Sequence, residues 1–495
     1  MPSYLSPGVY VEEVPPLARP IAGVSTSTPG FIGVIPDTVQ IPAPTQNSDA
    51  AADKARGYKW VDFVLPPAAE VHFVTTWSQY TNLFGDFVGQ SSSPATSNAT
   101  PAITTGQNNL ANAVYGFFNN GGTSCYVTRV ATEGDLSKAL GAFARIDGIS
   151  MVAAPGLASS ADYSALMTHC ENLLDRVAIL DPVQVDANSP SLFGEGDFSS
   201  LQNPVTVAGP PPGLRPTDSE YAAFYFPWIT VQDPSNTFIA NSQKSITWTP
   251  SKTLAVGAYY IDPNGNVQQV TTAGTTGANP PATWATAHNG TTTDGTVTWT
   301  NLAPLPQANI NIPPSGHLAG IYARTDSTRG VFKAPANEQV NGALDLRWRL
   351  GKADQDILNP PGVNLIRSLN GGILVWGART VGGDDNGDFK YISTRRYFNY
   401  LRKSIEQGTQ FVVFEPNSPA LWQRILRSVG DFLLNEWRNG ALFGDKPEQA
   451  FFVKCDNNTN TSVTIALGQV ITEIGVAIVQ PAEFVIFRIQ QQAAS

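Results

Sequence analysis

Two hydrophobic periods alternate along the chain. Short apolar runs bounded by turn residues, such as "GFIGVIP" (30–36), read as buried strands. Apolar positions at helical spacing mark helices. Leu110, Val114, Phe117 and Phe118 do so in "NNLANAVYGFFNN", which Asn-Asn-Gly-Gly stops before a strand over 126–130. Residues 71–74 read as a strand and lead into a short helix ending near Gly85. Residues 40–57 and "GQSSSPATSNATPAITTG" read as loose loops. From 136 to 182 strand and helix alternate: "ISMVAAPG", then the amphipathic "ADYSALMTHCENLLDR", then "VAILDP". That order is βαβ grammar and predicts a partly parallel sheet.

The texture changes over 235–308, which is rich in Thr and Gly, poor in charge, and carries Trp248, Trp284 and Trp299. "DPNG" and "DGTVTWT" are turn-then-strand signals, so this stretch reads as a small all-β, sandwich-like module. Its flanks, "ITVQ" and "NINI", alternate as strands. Paired as a hairpin, they would place the module at a tip, where insertions are tolerated. From about 359 structure is densest. "NLIRSL" and "ILVWGART" predict strands, "YISTRRYFNYLRKSIEQG" a strand running into a helix, and "FVVFEP" a buried strand. A long helix spans 418–439, with Ser418 as N-cap and Pro419 in its first turn. Leu421, Trp422, Ile425, Val429, Phe432 and Leu433 form its apolar side. "VITEIGVAIV" and "EFVIFRI" predict a closing hairpin turning at 480–482.

Near the start, "SPGVYVEEV" reads as a turn and a strand, which Pro15, Pro16 and Pro20 cut off from the rest of the chain. Ordering residues 8–14 costs roughly 7–14 kcal/mol of backbone entropy. Burying Val9, Tyr10, Val11 and Val14 returns on the order of 8 kcal/mol, and each hydrogen bond adds about 1 kcal/mol. Such a strand is near break-even alone and gains when another chain supplies a sheet edge.

Composition narrows the function classes. The net charge of −10, with no strongly basic region, argues against nucleic-acid binding. Cys125, Cys170 and Cys455 are odd in number and far apart, as expected of reduced thiols in a protein made in the cytoplasm. No basic segment followed by an apolar run opens the chain, so no signal peptide is expected. The apolar stretch 470–489 is interrupted by Glu473, Gln480, Pro481 and Glu483, which rules it out as a membrane span.

Candidate chemistry is sparse. His169 and Cys170 are adjacent, so on a helix they point in different directions and form no dyad. "GGDDNGD" (382–388) alternates like a calcium loop, but Phe389 stands where the loop needs Gly and Arg395 where it needs a bidentate Glu. Neither a phosphate-binding glycine loop nor a GxSxG elbow occurs. No catalytic, cofactor-binding or metal-binding residue is assigned. Arg395 and Arg396 could bind an anion or bridge carboxylates. The three Trp could form a sugar platform or a small core.

Several longer stretches together resemble the contractile tail sheath family of phages and phage-tail-like injection systems. They are "SPGVYVEEV" with "RPIAGVSTSTPGFIG", "YGFFNNGGTSCYVTRV", "HLAGIYARTDSTRGVFKAPANE", "NPPGVNLIRSLNGGILVWGART", "YISTRRYFNYLRKSI", "ALFGDKPEQAFFVKCD" and "IGVAIVQPAEFVIFRI". The order is that of the family along nearly the whole chain, with 235–308 as the departure from minimal sheaths. The resemblance implies an α+β multi-domain protein. An arm and first strand would occupy 1–35 and a mixed α/β sheath core 36–234 and 309–358. The inserted all-β module would lie at 235–308 and a C-terminal sheath domain at 359–495.

The resemblance further implies a structural subunit that forms stacked hexameric rings in a helical homo-oligomer around an inner tube protein. Baseplate and terminal cap proteins would be its other partners, without nucleic acid and without membrane insertion. Strand exchange between subunits would use Gly8, Val9, Tyr10, Val11, Glu12, Glu13 and Val14, together with Phe484, Val485, Ile486, Phe487, Arg488 and Ile489. A C-terminal helix would grip the tube, and Arg424, Arg427 and Arg438 on 418–439 are the candidates; an ordinary solvated face is the alternative. The rival readings are a surface adhesin binding carbohydrate through the Trp-rich module, and an α/β hydrolase.

Overall fold

The computed structural model describes residues 20–44, 58–87, 105–184, 197–205, 213–232, 246–263, 266–286, 290–304, 309–484 and 486. The chain divides into a larger unit, Ser25–Arg396, and a smaller one made of the residues up to Val24 with those from Tyr397 onward.

The larger unit is built on a nine-stranded sheet. From edge to edge its strands are Glu338–Gln339, Gly372–Val375, Val363–Leu369, Ala222–Phe226, Val177–Leu180, Met151–Ala153, Pro29–Val34, Cys125–Val130 and His72–Val74. The six from Val363–Leu369 to Cys125–Val130 run parallel. Met151–Ala153, Val177–Leu180 and Ala222–Phe226 are buried at every position. Continuous apolar runs are what a parallel sheet covered on both faces requires. Successive side chains point to opposite faces. Phe31, Ala153, Ile179 and Tyr225 join one core with helices Thr105–Asn119 and Ser315–Arg329. Ile32, Val152, Ala178 and Phe224 join a second core with helices Leu136–Phe143 and Ser160–Leu173. Helix Ser160–Leu173 begins in a capping box: Ser159 Oγ accepts from the Asp162 amide, and the Asp162 carboxylate accepts from the Ser159 amide at 3.1 Å.

Helices Thr105–Asn119 and Ser315–Arg329 lie against each other with glycines at the crossing. A Cβ on Gly316 would collide with the Ala113 backbone, and one on Gly116 with the His317 ring. The absence of side chains lets the backbones meet, as small residues do at close helix crossings.

Strand Ile229–Gln232 pairs antiparallel with Asn309–Ile312, matching Ile229 to Ile312 and Gln232 to Asn309. Between them stand a four-stranded antiparallel sheet (Tyr259–Ile261, Asn266–Thr272, Val297–Pro304, Thr291–Asp294) and a two-stranded one (Thr253–Leu254, Gly274–Thr275). Leu254, Val270, Trp284, Val297 and Trp299 form a local core there.

Three expectations are corrected. The start of the supposed loop 40–57 is ordered: Thr38–Pro44 pairs antiparallel with Tyr58–Val64, while 45–57 lie outside the described residues. "YISTRR" contains no strand; Tyr391 makes one bridge to Arg379 and the helix Ile392–Gly408 starts at once. Ile392, Tyr397 and Leu401 are buried in this helix, and that tertiary burial overrides the β-propensity of the Ile-Ser-Thr run. "FVVFEP" is a 3₁₀ turn over Gln410–Val412 followed by an exposed bend. In the tail, Glu473–Val476 pairs with Phe451–Lys454, and most of the expected second hairpin strand, 483–489, lies outside the described residues. Strands Val363–Leu369 and Gly372–Val375 belong to the nine-stranded sheet, so structure placed by pattern in the last third of the chain serves the larger unit.

Candidate assembly surfaces

In doubly wound sheets ligands bind beyond the carboxyl ends of the parallel strands, where strand order reverses. Here order reverses between Pro29–Val34 and Met151–Ala153, and the neighbouring strand Val177–Leu180 ends at the buried Asp181. Asp181 accepts from the Gly156 amide at 3.1 Å, the Ser315 amide at 2.8 Å and the Ser315 hydroxyl at 2.6 Å. Burial outweighs these donors and pushes the carboxyl up to about 6. The carboxylate thereby caps the helix Ser315–Arg329. Ser315 is bound to an acid, and His317 lies against Gly116, so no nucleophile–base pair is assembled at this point. Among the described residues no group of three or more His, Cys, Asp and Glu is placed to hold a metal, and no helix is long and apolar enough to cross a membrane.

The remaining candidates settle into packing. Trp284 and Trp299 are buried, and Trp248 and Trp299 both donate their indole N–H to Asp294, at 2.8 and 3.2 Å. Trp284 and Trp299 are thereby closed to a sugar, and Trp248 is half-buried against the same core. Cys170 is buried and burial pushes its thiol up; His169 is half-buried. Asp384 of the acidic turn pairs with Lys390 at 2.6 Å and Arg379 at 3.2 Å, which hold its carboxyl below the usual range. Arg395 lies over the Phe389 ring at 3.8 Å and meets Glu220 at 3.2 Å. Arg396 bridges Asp326.

The smaller unit is organised around the helix Pro419–Arg438, whose six expected apolar residues, Leu421 to Leu433, are all buried. Glu436 on the same side accepts from the hydroxyls of Tyr397 and Tyr400, each at 3.0 Å. Burial, then the carboxylate, pushes both phenols up. On the other side, Arg424 is half-buried: it bonds Glu415 at 2.7 Å and lies 5.9 Å from the Phe411 ring. Arg427 and Arg438 are exposed. Arg424 and Arg427 therefore share one patch, whereas Arg438 stands about 16 Å beyond Arg427 by helical rise.

The two-stranded sheet Phe451–Lys454 with Glu473–Val476 has no third strand among the described residues. Phe484 and Ile486 are exposed. Residues 8–14, Val485 and 487–489 lie outside the described residues. Sequence reasoning missed one surface feature, the outward-turned Val413 and Phe414. The signal lay in Pro416 and Pro419, which restrict the chain before them and make an uninterrupted strand into the helix a poor choice.

The chain matches known families. A model described as the phage tail sheath protein central domain matches residues 220–381, and one described as the phage tail sheath C-terminal domain matches 384–492. The two lie end to end over more than half of the chain. The chain belongs to the phage tail sheath family. Among curated sheath proteins, that of Vibrio phage KVP40 is 27% identical over 180 residues, 36% of this chain and 25% of that protein. A putative prophage major tail sheath protein of Pseudomonas aeruginosa is 24% identical over 185 residues, 36% of this chain and 45% of that one. The match thus spans from a quarter to less than half of these relatives' length. Among solved sheaths, the helical sheath of the anti-feeding prophage in its contracted state is 25% identical with a TM-score of 0.59, over 98% of this chain and 99% of that one. The contracted sheath of the PVC extracellular contractile injection system shares the fold with a TM-score of 0.58 at 24% identity, over 99% of each chain.

Proposed function

We propose that the chain is the repeating subunit of a contractile sheath in a phage tail or phage-tail-like injection particle. Copies polymerise helically as stacked hexameric rings around an inner tube, between a baseplate and a terminal cap. A signal from the baseplate releases a rigid-body rearrangement from an extended, metastable lattice to a shorter and wider one, driving the tube through a target envelope. The observation that carries this reading is the end-to-end run of two sheath domain models on a chain whose fold matches a contracted sheath along nearly its full length. The test is electron microscopy of the purified protein over a range of concentration and salt. Striated tubes or hollow cylinders are expected; particles that stay monomeric throughout would overturn the reading.

The lattice is held by strand exchange. Residues Gly8 to Val14 of one copy and Phe484 to Ile489 of another add to the open edges of the two-stranded sheet Phe451–Lys454/Glu473–Val476. Open edges with unpaired amides and carbonyls are natural acceptors for such strands. Head-to-tail contacts of this kind generate open helical assemblies.

The tube is gripped by the Arg424, Arg427 and Arg438 side of the helix Pro419–Arg438. Exposed pairs contribute only about 0–1 kcal/mol each, which suits a grip that must let go. The double reversal Arg424→Glu with Arg427→Glu is expected to give sheaths that form contracted or without tube. Because Arg424 also holds Glu415, Glu415→Ala serves as the control that breaks this pair while keeping the positive face. Extended, tube-filled particles from the double variant would remove this helix from the grip.

Residues 235–308 would form a module on the outer surface, the face left free when the tube fills the inner radius and the lattice the lateral contacts; the paired strands Ile229–Gln232 and Asn309–Ile312 support this by letting the host carry an insertion without distortion. Replacing it with a short Gly/Ser linker is expected to leave assembly and contraction intact, read by electron microscopy before and after triggering. A folded deletion protein that forms no tubes would place the module in the lattice.

A further inference from the structure

The bend after the 3₁₀ turn Gln410–Val412 is built against its own sequence. "FVVF" has the composition of a buried strand, yet Val413 is 57% and Phe414 103% exposed. Phe414 also sits at φ 67°, in the left-handed region that a bulky side chain rarely adopts. Strain and local sequence conflict kept at one exposed aromatic are features that function retains and stability alone would not. The bend is firmly seated: Glu415 bonds Arg424 at 2.7 Å, Asn417 accepts from the Trp422 indole at 2.8 Å, and the Asn417 amide donates to the Gln469 carbonyl at 2.9 Å. This last bond ties the bend to the segment just beyond the exposed Val463 and Leu467.

We infer that Phe414 is an anchor that inserts into a second copy of this chain in the lattice, flanked by Arg424. The inference rests on the sheath reading. Among the described residues, eight of the twelve large apolar side chains more than half exposed belong to the smaller unit, which holds about a quarter of the chain. They are spread over the 413–414 bend, Phe443, strand Phe451–Lys454, the 463–467 stretch and the tail, more surface than one helix resting on a tube would cover. A surface repeated on every copy is covered by copies. Charge fits the same occupant: the chain carries −10, so another copy offers carboxylates at the bend, on the border of the Arg424, Arg427 and Arg438 side that meets the tube. An aromatic anchor beside an Arg is the composition of an interface hot spot.

The test uses full-length Phe414→Gly and Phe414→Asn, since both residues accept a positive φ. Each removes the anchor while relieving strain, so Tm is expected to stay equal or rise. The critical concentration for tube formation, measured by sedimentation, is expected to rise about tenfold or more, as for loss of a hot-spot side chain. A critical concentration within about twofold of the parent would overturn the inference. So would a clear fall in Tm for both variants, because Phe414 would then serve its own unit. Variants that polymerise normally alone but lose the tube would also overturn it and make the tube protein the occupant. A parent chain that never polymerises would overturn the sheath reading and this inference with it.

Discussion

Removing residues 1–14 is expected to abolish polymerisation and leave a folded monomer. The cut falls before the point at which the chain is anchored in its own smaller unit. Ile21 is buried against Gly408, where a Cβ would have no room, and the Val24 amide donates to Ser404 Oγ at 3.1 Å. Those contacts survive the truncation. The lost strand is near break-even by itself, so its absence should move Tm by no more than about 2 °C, the scale set by less than 1 kcal/mol in a protein of this size. Polymerisation should fail completely, because each copy loses one of the strands that bind it to its neighbours. Size-exclusion chromatography and electron microscopy read the assembly; thermal unfolding reads the fold. Tubes of normal length from the truncated chain would refute strand exchange through this arm. Truncation from Phe484 onward should also stop assembly, while the bond from the Val479 amide to the Ala441 carbonyl at 3.2 Å lies before this cut and survives it.

The parts of the fold that can be read from sequence are those fixed by local periodicity. The helix Pro419–Arg438 buries the six residues that its 3.6-residue pattern selects. The uninterrupted apolar runs become the parallel strands, and "ITVQ" finds "NINI" because both carry period-2 alternation beside a long insertion. The parts that cannot be read depend on distant partners. Asp181 caps a helix 134 residues later in the chain, and Arg396 meets an acid 70 residues earlier; neither spacing leaves a local trace. The tail strand Glu473–Val476 pairs with the earlier Phe451–Lys454, a partner that propensity alone does not name. "FVVFEP" misleads for a different reason: Phe411 and Val412 are half-buried in a 3₁₀ turn and Val413 and Phe414 are turned outward, so its apolar composition does not report a buried strand.

The largest effect on stability is expected from Arg396 and Asp326. The guanidinium bonds both carboxylate oxygens, Nη1 to Oδ1 at 3.0 Å and Nη2 to Oδ2 at 2.5 Å, and both side chains are 3% exposed. Nη2 also donates to the Thr26 carbonyl at 3.0 Å, while the Thr26 hydroxyl donates to Asp326 Oδ2 at 2.6 Å. The guanidinium carbon lies 4.6 Å from the centre of the Tyr322 ring, and the Tyr322 hydroxyl shares a 2.6 Å hydrogen bond with Tyr225. Thr26 and Arg396 mark the two places where the chain passes out of the larger unit, so one ion pair fastens both to the helix Ser315–Arg329. Arg396→Met or Asp326→Leu alone leaves a buried charge without its partner, which costs about 3–5 kcal/mol. The double variant leaves no such charge and should recover a large part of that loss. Arg396→Lys keeps the charge but not the planar fork that reaches both oxygens and Thr26 together, and should fall between parent and methionine. Denaturant unfolding of the parent, the two single variants and the double variant in a double-mutant cycle measures the coupling. Single-variant losses that simply add in the double variant would show that the pair is not acting as a unit, and the account of this clamp would have to be abandoned.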